Sequence, residues 1–203
     1  RIIRAVRFEQ RYDFTLEQST EKFLRKAVRE GLVSLIRKKR LNEEFLILLQ
    51  EQKPIKVLKR MDQLGILSGI IPNLSLNQSL VERFKQIEEI MISWNIKYPE
   101  ENINKGVLYL YYLIKLSNLE IKHIKKRIGL SERNIKKLEK LIEEKHKIIH
   151  ILSKEEILPS HVYYHLKNID NELLLIALLE KKNNKLIINR IEKYLNIYKK
   201  ATT

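Results

Sequence analysis

Cysteine is absent from the 203 residues of this chain. A disulfide, a thiolate nucleophile and a cysteine-based zinc site are therefore excluded. The absence fits a reducing compartment, and we expect a cytoplasmic protein. No apolar run approaches the length that spans a bilayer, and no signal-like segment opens the chain, so no membrane span is predicted.

Signals for β-structure are also missing. The sequence contains no Asn-Gly or Asp-Gly hairpin turn and no strand-like alternation, and its 5 glycines and 4 prolines punctuate a helical spacing of apolar residues. We predict an all-α fold, with Phe8 and Phe14 in the core. The spacing predicts helices near residues 1–12, 16–30, 33–51, 54–64, 76–96, 103–117, 119–127, 131–151, 159–168, 170–182 and 184–200.

The clearest break in this pattern is residues 65–72, which are apolar but rich in turn formers. We interpret the segment as a packed connector between two helical domains, residues 1–70 and residues 71–203. The recurring helical pairs leave a solenoid-like stack open as an alternative.

Acidic residues are too few to balance the basic ones. The chain has 40 Lys and Arg against 25 Asp and Glu, a net charge of +15. Such an excess concerns partners and solubility rather than fold. Nucleic acid is the commonest partner of a basic protein and an anionic membrane surface the second. Genome bias or growth at high temperature would also produce a Lys-rich and Ile-rich composition.

The first segment concentrates this charge on one helix face. Arg1, Arg4, Arg7 and Arg11 are spaced by three, three and four residues, so they form one cationic stripe on a helix. Guanidinium groups in such a stripe suit an anion, such as a phosphate or a nucleotide. Because the stripe begins at the first residue, with no initiator Met, we expect the chain to be a piece of a longer protein.

Two other basic clusters are candidates for RNA contact. The first contains Arg37, Lys38 and Lys39, followed by Arg40, which lies four residues before Glu44 and could simply pair with it. The second flanks a short Gly129 turn and contains Lys122, Lys125, Lys126, Arg127, Lys136, Lys137 and Lys140. Two basic helices that meet at such a turn resemble a phosphate-binding corner, and the helix start at Ser131 would add N–H donors. A solvated charged face is the alternative.

The tyrosines and histidines do not predict a base-stacking or metal site. Tyrosines at helical spacing favour core packing over stacking on bases; they are Tyr109, Tyr111, Tyr112, Tyr163 and Tyr164. Two histidine pairs have the i, i+4 spacing of metal ligands but no third ligand, so we predict no metal site. The sequence contains no Gly-rich phosphate loop and no nucleophile elbow, and no catalytic residue is predicted.

The residues from Arg1 to Phe14 resemble the neck region of class II tRNA nucleotidyltransferases, the family of CCA-adding and A-adding enzymes and bacterial poly(A) polymerases. The family typically has Glu-Asp-x-x-Arg running into Leu-Arg-Ala-x-Arg-Phe, and Arg4-Ala5-Val6-Arg7-Phe8 matches the continuation. Residues 40–46 are similar to the family's Arg-Leu-x-x-Glu-Leu helix. Residues 54–67, with Lys56 or Val57 in place of Ala, resemble its Pro-x-x-Ala helix, and Pro72 and Leu74 match the Pro-x-Leu that follows. The remainder resembles the helical body more weakly.

This resemblance implies a neck domain over residues 1–70 and a tRNA-binding helical body over residues 71–203. It implies that Arg1, and with it Arg4, binds the incoming ATP or CTP, while an Asp partner lies upstream of the chain. Arg4 and Arg7 would alternatively brace the neck by pairing with Glu44 or Asp62. The family's catalytic carboxylates and Mg²⁺ belong to a head domain that we expect to lie outside this chain, which alone should be inactive. A poly(A) polymerase and a non-enzymatic helical RNA-binding module stay open as alternatives.

Overall fold

The computed structural model describes residues 1–72, 74, 76–117 and 119–202, and 75% of the chain is helical with no strand in the described residues. The all-α prediction is confirmed. The helices are α1 Ile2–Arg11, α2 Gln18–Arg29, α3 Lys38–Leu49, α4 Pro54–Gln63, α5 Ile66–Ile70, α6 Gln78–Lys97, α7 Lys105–Leu116, α8 Ile121–Ile128, α9 Glu132–Ser153, α10 Pro159–Leu166, α11 Asn171–Glu180 and α12 Lys185–Lys193.

Helix α7 is the centre of the packing. All its residues from Gly106 to Ile114 are buried, and it contacts α3, α6, α9 and α11. Helix α11 is also apolar on all sides and is packed against α6, α7, α9 and α12. A helix that is hydrophobic all round must be covered by neighbours, so these two helices organise the others. One continuous cluster of buried apolar residues extends from Ile3 to Leu195.

A buried ion network ties the first helices together. Arg60 of α4 donates to both carboxylate oxygens of Glu9 on α1, at 2.9 and 3.1 Å, and to Glu21 of α2 at 2.6 Å. Glu9 is only 2% exposed. The hydrogen bond to Glu9 raises the pKa of the Arg60 guanidinium, and hydrogen bonds from Arg60 and Arg25 lower the pKa of Glu21. The pairing fixes α1, α2 and α4 against one another.

The structure differs from the predicted helices at two places that bear on function. The predicted helix over 33–51 is split into a 3-10 turn, Leu32–Leu35, and α3, with Ile36 extended between them. Arg37 therefore precedes α3 instead of lying inside a helix. The segment 65–72 forms α5, whose Ile66, Leu67 and Ile70 are buried, so it is packed but helical. Phe14 is 47% exposed, so its assignment to the core is wrong, and Phe8 is half-buried.

Candidate nucleic-acid interface

The turn between α8 and α9 forms as its spacing predicts. Ile124 and Ile128 bury one face of α8, and Gly129 ends the helix in the left-handed region with φ +76°. Ser131 then begins α9 by accepting a hydrogen bond from the Asn134 backbone N–H at 3.3 Å. A left-handed glycine followed by a serine cap is an efficient way to stop one helix and start the next. The basic faces of α8 and α9 are thereby placed side by side.

This turn packs directly on the start of α3. A Cβ at Gly129 would lie 2.9 Å from Lys38 Cβ and 3.4 Å from the Lys38 carbonyl oxygen. Arg127 secures the contact by donating to the backbone carbonyls of Val33, Ser34 and Gly69, at 3.2, 3.1 and 2.9 Å. Two basic clusters that are about ninety residues apart in the sequence thus meet on one surface.

Several cations at this meeting point have no carboxylate within 4 Å in the part of the chain that the structure describes. They lie in the Arg37–Arg40 run, on α8 and in the first turns of α9, and all are exposed. We call this set the basic corner: Arg37, Lys38, Lys39, Arg40, Lys126, Arg133 and Lys136. Arg133 is absent from the sequence-predicted set. Of the two partners that the sequence offers for Glu44, the structure shows Arg7, with 3.6 Å between Arg7 Nη2 and Glu44 Oε2.

The other predicted RNA-binding residues have protein partners. Lys122 is 2.6 Å from Glu120 and Lys125 is 2.6 Å from Glu132, in exposed ion pairs. Lys137 is 2.8 Å from Glu172. Lys140 is 3.2 Å from Asp170. Arg127 is used by the three backbone carbonyls already described.

A cleft of about 620 Å³ opens beside the basic corner. Its lining is mostly apolar and also contains charged and polar side chains, among them Lys38, Glu120, His123 and Lys126. Apolar side chains beside basic ones suit a nucleotide, which has a flat base and an anionic phosphate.

The arginine stripe on α1 is divided by burial. Arg1 and Arg4 are exposed, and the Arg4 guanidinium lies 5.2 Å from the Phe8 ring centroid. Arg7 is 6% exposed and donates to Glu51 at 3.1 Å, and Arg11 is 3.5 Å from the same carboxylate. Arg7 is therefore withdrawn from a ligand by burial, whereas Arg11 is paired but still half exposed.

The structure places the tyrosines in different environments. Tyr109, Tyr111 and Tyr112 are fully buried, which confirms core packing for these three, whereas Tyr164 is 66% exposed. Burial raises the pKa of all three buried phenols well above the ordinary value.

No group of three or more potential ligands that could hold a metal ion occurs in the described residues. Within those residues, no helix has both the length and the hydropathy of a membrane span.

Comparisons with known proteins agree on one family. Residues 13–77 match the family model described as "Probable RNA and SrmB- binding site of polymerase A". The chain is 24% identical to an A-adding tRNA nucleotidyltransferase of Geobacter sulfurreducens, over 98% of this chain and 23% of that protein. It is 34% identical to the A-adding tRNA nucleotidyltransferase of Aquifex aeolicus, over 59% of this chain and 14% of that protein. The chain thus spans less than a quarter of the length of these relatives.

Solved structures show the same arrangement of helices. A tRNA-processing enzyme with CTP superposes with a TM-score of 0.79 and 26% identity, over 98% of this chain and 54% of that one. A CCA-adding enzyme with ATP superposes with a TM-score of 0.69 and 25% identity, over 96% of this chain and 47% of that one.

Proposed function

We propose that this chain is the nucleobase-selecting and tRNA-binding part of an enzyme of the tRNA nucleotidyltransferase and poly(A) polymerase family, one that adds CMP, AMP or both to tRNA 3′ ends. The tRNA-binding part of this proposal rests on the basic corner. Residues 37–40 lie inside the segment matched by the RNA-binding family model, and α8 and α9 extend the same charged surface.

Exposed cations that have no carboxylate partner are free to contact phosphates. Lysine and arginine contacts to the RNA backbone displace condensed counterions and supply affinity without reading sequence. We assign this role to the basic corner, with its cleft as a place for a nucleotide. The predicted contacts of Lys122, Lys125, Lys137 and Lys140 would require exchange of their carboxylate partners for phosphate, so we expect them to contribute less.

We assign nucleotide selection to Arg1 and Arg4. Both are exposed, and their spacing of three residues puts both guanidinium groups on one face of α1. The rigid donor fork of arginine matches the acceptors on a base edge. Mg²⁺ and the catalytic carboxylates belong, in this proposal, to a head domain outside this chain, and the two residue ranges 1–70 and 71–203 serve as neck and body.

The experiment that tests RNA binding replaces four cations of the basic corner: Arg37→Gln, Lys39→Gln, Lys126→Gln and Lys136→Gln together. We expect the affinity for tRNA to fall about tenfold or more. The slope of log affinity against log salt should decrease by about 0.7–1 for each RNA phosphate that the variant no longer neutralises. Fluorescence anisotropy with labelled tRNA over a salt series measures both quantities.

The matched control removes four exposed lysines far along the chain: Lys154→Gln, Lys181→Gln, Lys185→Gln and Lys193→Gln. It makes the same change in net charge. An equal loss of affinity in both variants would show that binding follows net charge alone and would contradict a localised interface. Because the matched family model names polymerase A, an unstructured RNA of the same length is the comparison ligand, and equal affinity for it would favour a general RNA 3′-end substrate.

A further inference from the structure

Four helices bring three cations around a single carboxylate on the side of α7 that faces α6, α9 and α11. Lys115 of α7 is 2.5 Å from Glu180 Oε1 of α11, and the Tyr112 hydroxyl donates to the same oxygen at 3.3 Å. The third and fourth helices contribute Arg83 and Lys145. The Arg83 guanidinium lies over the Tyr112 ring, 5.1 Å from its centroid, and donates to the Leu179 carbonyl at 2.7 Å.

The Lys145 ammonium adds a positive charge to this cluster without an ion pair to a carboxylate of its own among the described residues. It lies near the Lys115 ammonium, a group of the same sign whose charge acts on it, and 5.7 Å from the centroid of the Tyr111 ring. Burial and the charge of Lys115 lower the pKa of Lys145 and together outweigh the charge of Glu180, which raises it. Two ammonium groups that face each other repel unless an anion neutralises them, and Glu180 is already bonded to Lys115.

The surroundings of Glu180 show the same excess of positive charge. Burial raises the pKa of this carboxyl, but the hydrogen bond from Lys115 and the charges of Arg83 and Lys145 outweigh it, so the pKa lies below its ordinary value. The side chains of Lys115 and Glu180 remain 29% and 21% exposed, so a small anion can reach them from solvent.

A buried tyrosine supplies an independent observation. Tyr111 is fully buried, its ring contacts Tyr112 edge-on at 4.9 Å, and its hydroxyl has no hydrogen-bond partner among the described residues. The Lys145 ammonium lies 5.7 Å from the centroid of the Tyr111 ring, which places this phenol beside the cluster. A buried hydroxyl without a partner destabilises the fold, and a bound acceptor would remove that cost.

We propose that Arg83, Lys115 and Lys145, with the Tyr111 hydroxyl, form a binding site for a phosphate group. The cluster carries a net charge of +2, three cations less the Glu180 carboxylate, which equals the charge of a hydrogen phosphate ion in magnitude and exceeds the single negative charge of a phosphodiester. The phosphate comes from the RNA backbone or from free phosphate in solution, since both present the same oxygens. The RNA source rests on the proposed function, whereas the free-ion source does not.

The first test uses inorganic phosphate and the whole chain. At matched ionic strength, phosphate is expected to raise the melting temperature above its value in chloride, because a ligand that binds only the folded state stabilises it. Lys145→Met removes one of the two facing ammonium groups and keeps the length of the side chain. We expect it to weaken phosphate binding about tenfold or more, measured by ³¹P NMR titration, and to leave the melting temperature in chloride unchanged or higher. Lys147→Met, an exposed neighbour on α9, is the matched control and should behave as wild type.

The second test uses tRNA and separates the two sources. A loss of tRNA affinity in Lys145→Met, with Lys147→Met unchanged, supports an RNA phosphate at the site. Phosphate-ion binding that depends on Lys145, with unchanged tRNA affinity, supports a free phosphate. If neither ligand distinguishes the two variants, or if Lys145→Met lowers the melting temperature in chloride, the cluster is a structural one and the proposal is overturned.

The effect of Lys145→Met on tRNA binding can be told apart from the effect of the four-cation corner variant. Loss of tRNA binding in the four-cation corner variant, with normal binding by Lys145→Met, would refute an RNA phosphate at this site and leave the proposed function intact. Lys145→Arg keeps the charge and should retain the phosphate response, which guards against a misfolded Met variant.

Discussion

At the scale of single residues, the arginine stripe on α1 separates into two roles. Its spacing is visible in the sequence, which leaves pairing with Glu44 open beside ligand binding for Arg4 and Arg7. The structure shows this pairing for Arg7, 3.6 Å from Glu44, whereas Arg4 is exposed. The stronger partner, Glu51, lies 44 residues away in sequence and could not be predicted from local spacing, because it depends on how α3 packs against α1.

Arg7→Ala should therefore destabilise the fold. It would leave the carboxylates of Glu44 and Glu51 largely buried without their main cation, and breaking such a pair costs about 3–5 kcal/mol. Urea unfolding measures the loss. Arg4→Ala is the matched control on the same helix and should change the free energy of unfolding by less than about 0.5 kcal/mol, as is usual for an exposed site. Equal effects of the two substitutions would contradict the division of the stripe.

At the scale of secondary-structure elements, the turn between α8 and α9 decides where the basic clusters lie. The sequence predicts the turn, its glycine and the helix start at Ser131, because these are local signals. It does not predict the contact with α3, since the close approach of Gly129 to Lys38 is a tertiary feature. The extended residue Ile36, which moves Arg37 out of the helix, also follows from packing around Val33 and α5.

Gly129→Ala should cost more stability than Gly31→Ala. Both glycines have left-handed φ, +76° and +69°, so both substitutions carry about 1–2 kcal/mol of backbone strain. At Gly129 the new Cβ would also meet Lys38 at 2.9 Å, whereas nothing lies within 4 Å at Gly31. We expect an additional loss of about 1–3 kcal/mol from this crowding, measured by urea unfolding. An equal loss at both positions would mean that α3 and α8 are free to separate.

At the scale of the whole molecule, charge and helicity are the properties that the sequence predicts well. The net charge of +15 indicates a polyanion partner, and the family resemblance agrees with the comparisons with known proteins. The division at residue 70 stays a prediction, since the buried apolar cluster runs through both ranges. The distribution of the charge could not be predicted, because ion pairing of Lys122, Lys125, Lys137 and Lys140 depends on neighbours brought in by the fold.

The most direct measurement of RNA contact at the basic corner uses the absence of cysteine, which makes any introduced thiol a unique attachment point. His123→Cys carries an iron–EDTA probe in the lining of the cleft without removing a cation of the corner. Lys154→Cys carries the same probe just beyond α9, whose 22 residues span about 33 Å. We predict stronger cleavage of bound tRNA from position 123 than from position 154, confined to one stretch of the RNA. Cleavage that is absent from position 123, or equal from both positions, would contradict an RNA interface at the basic corner.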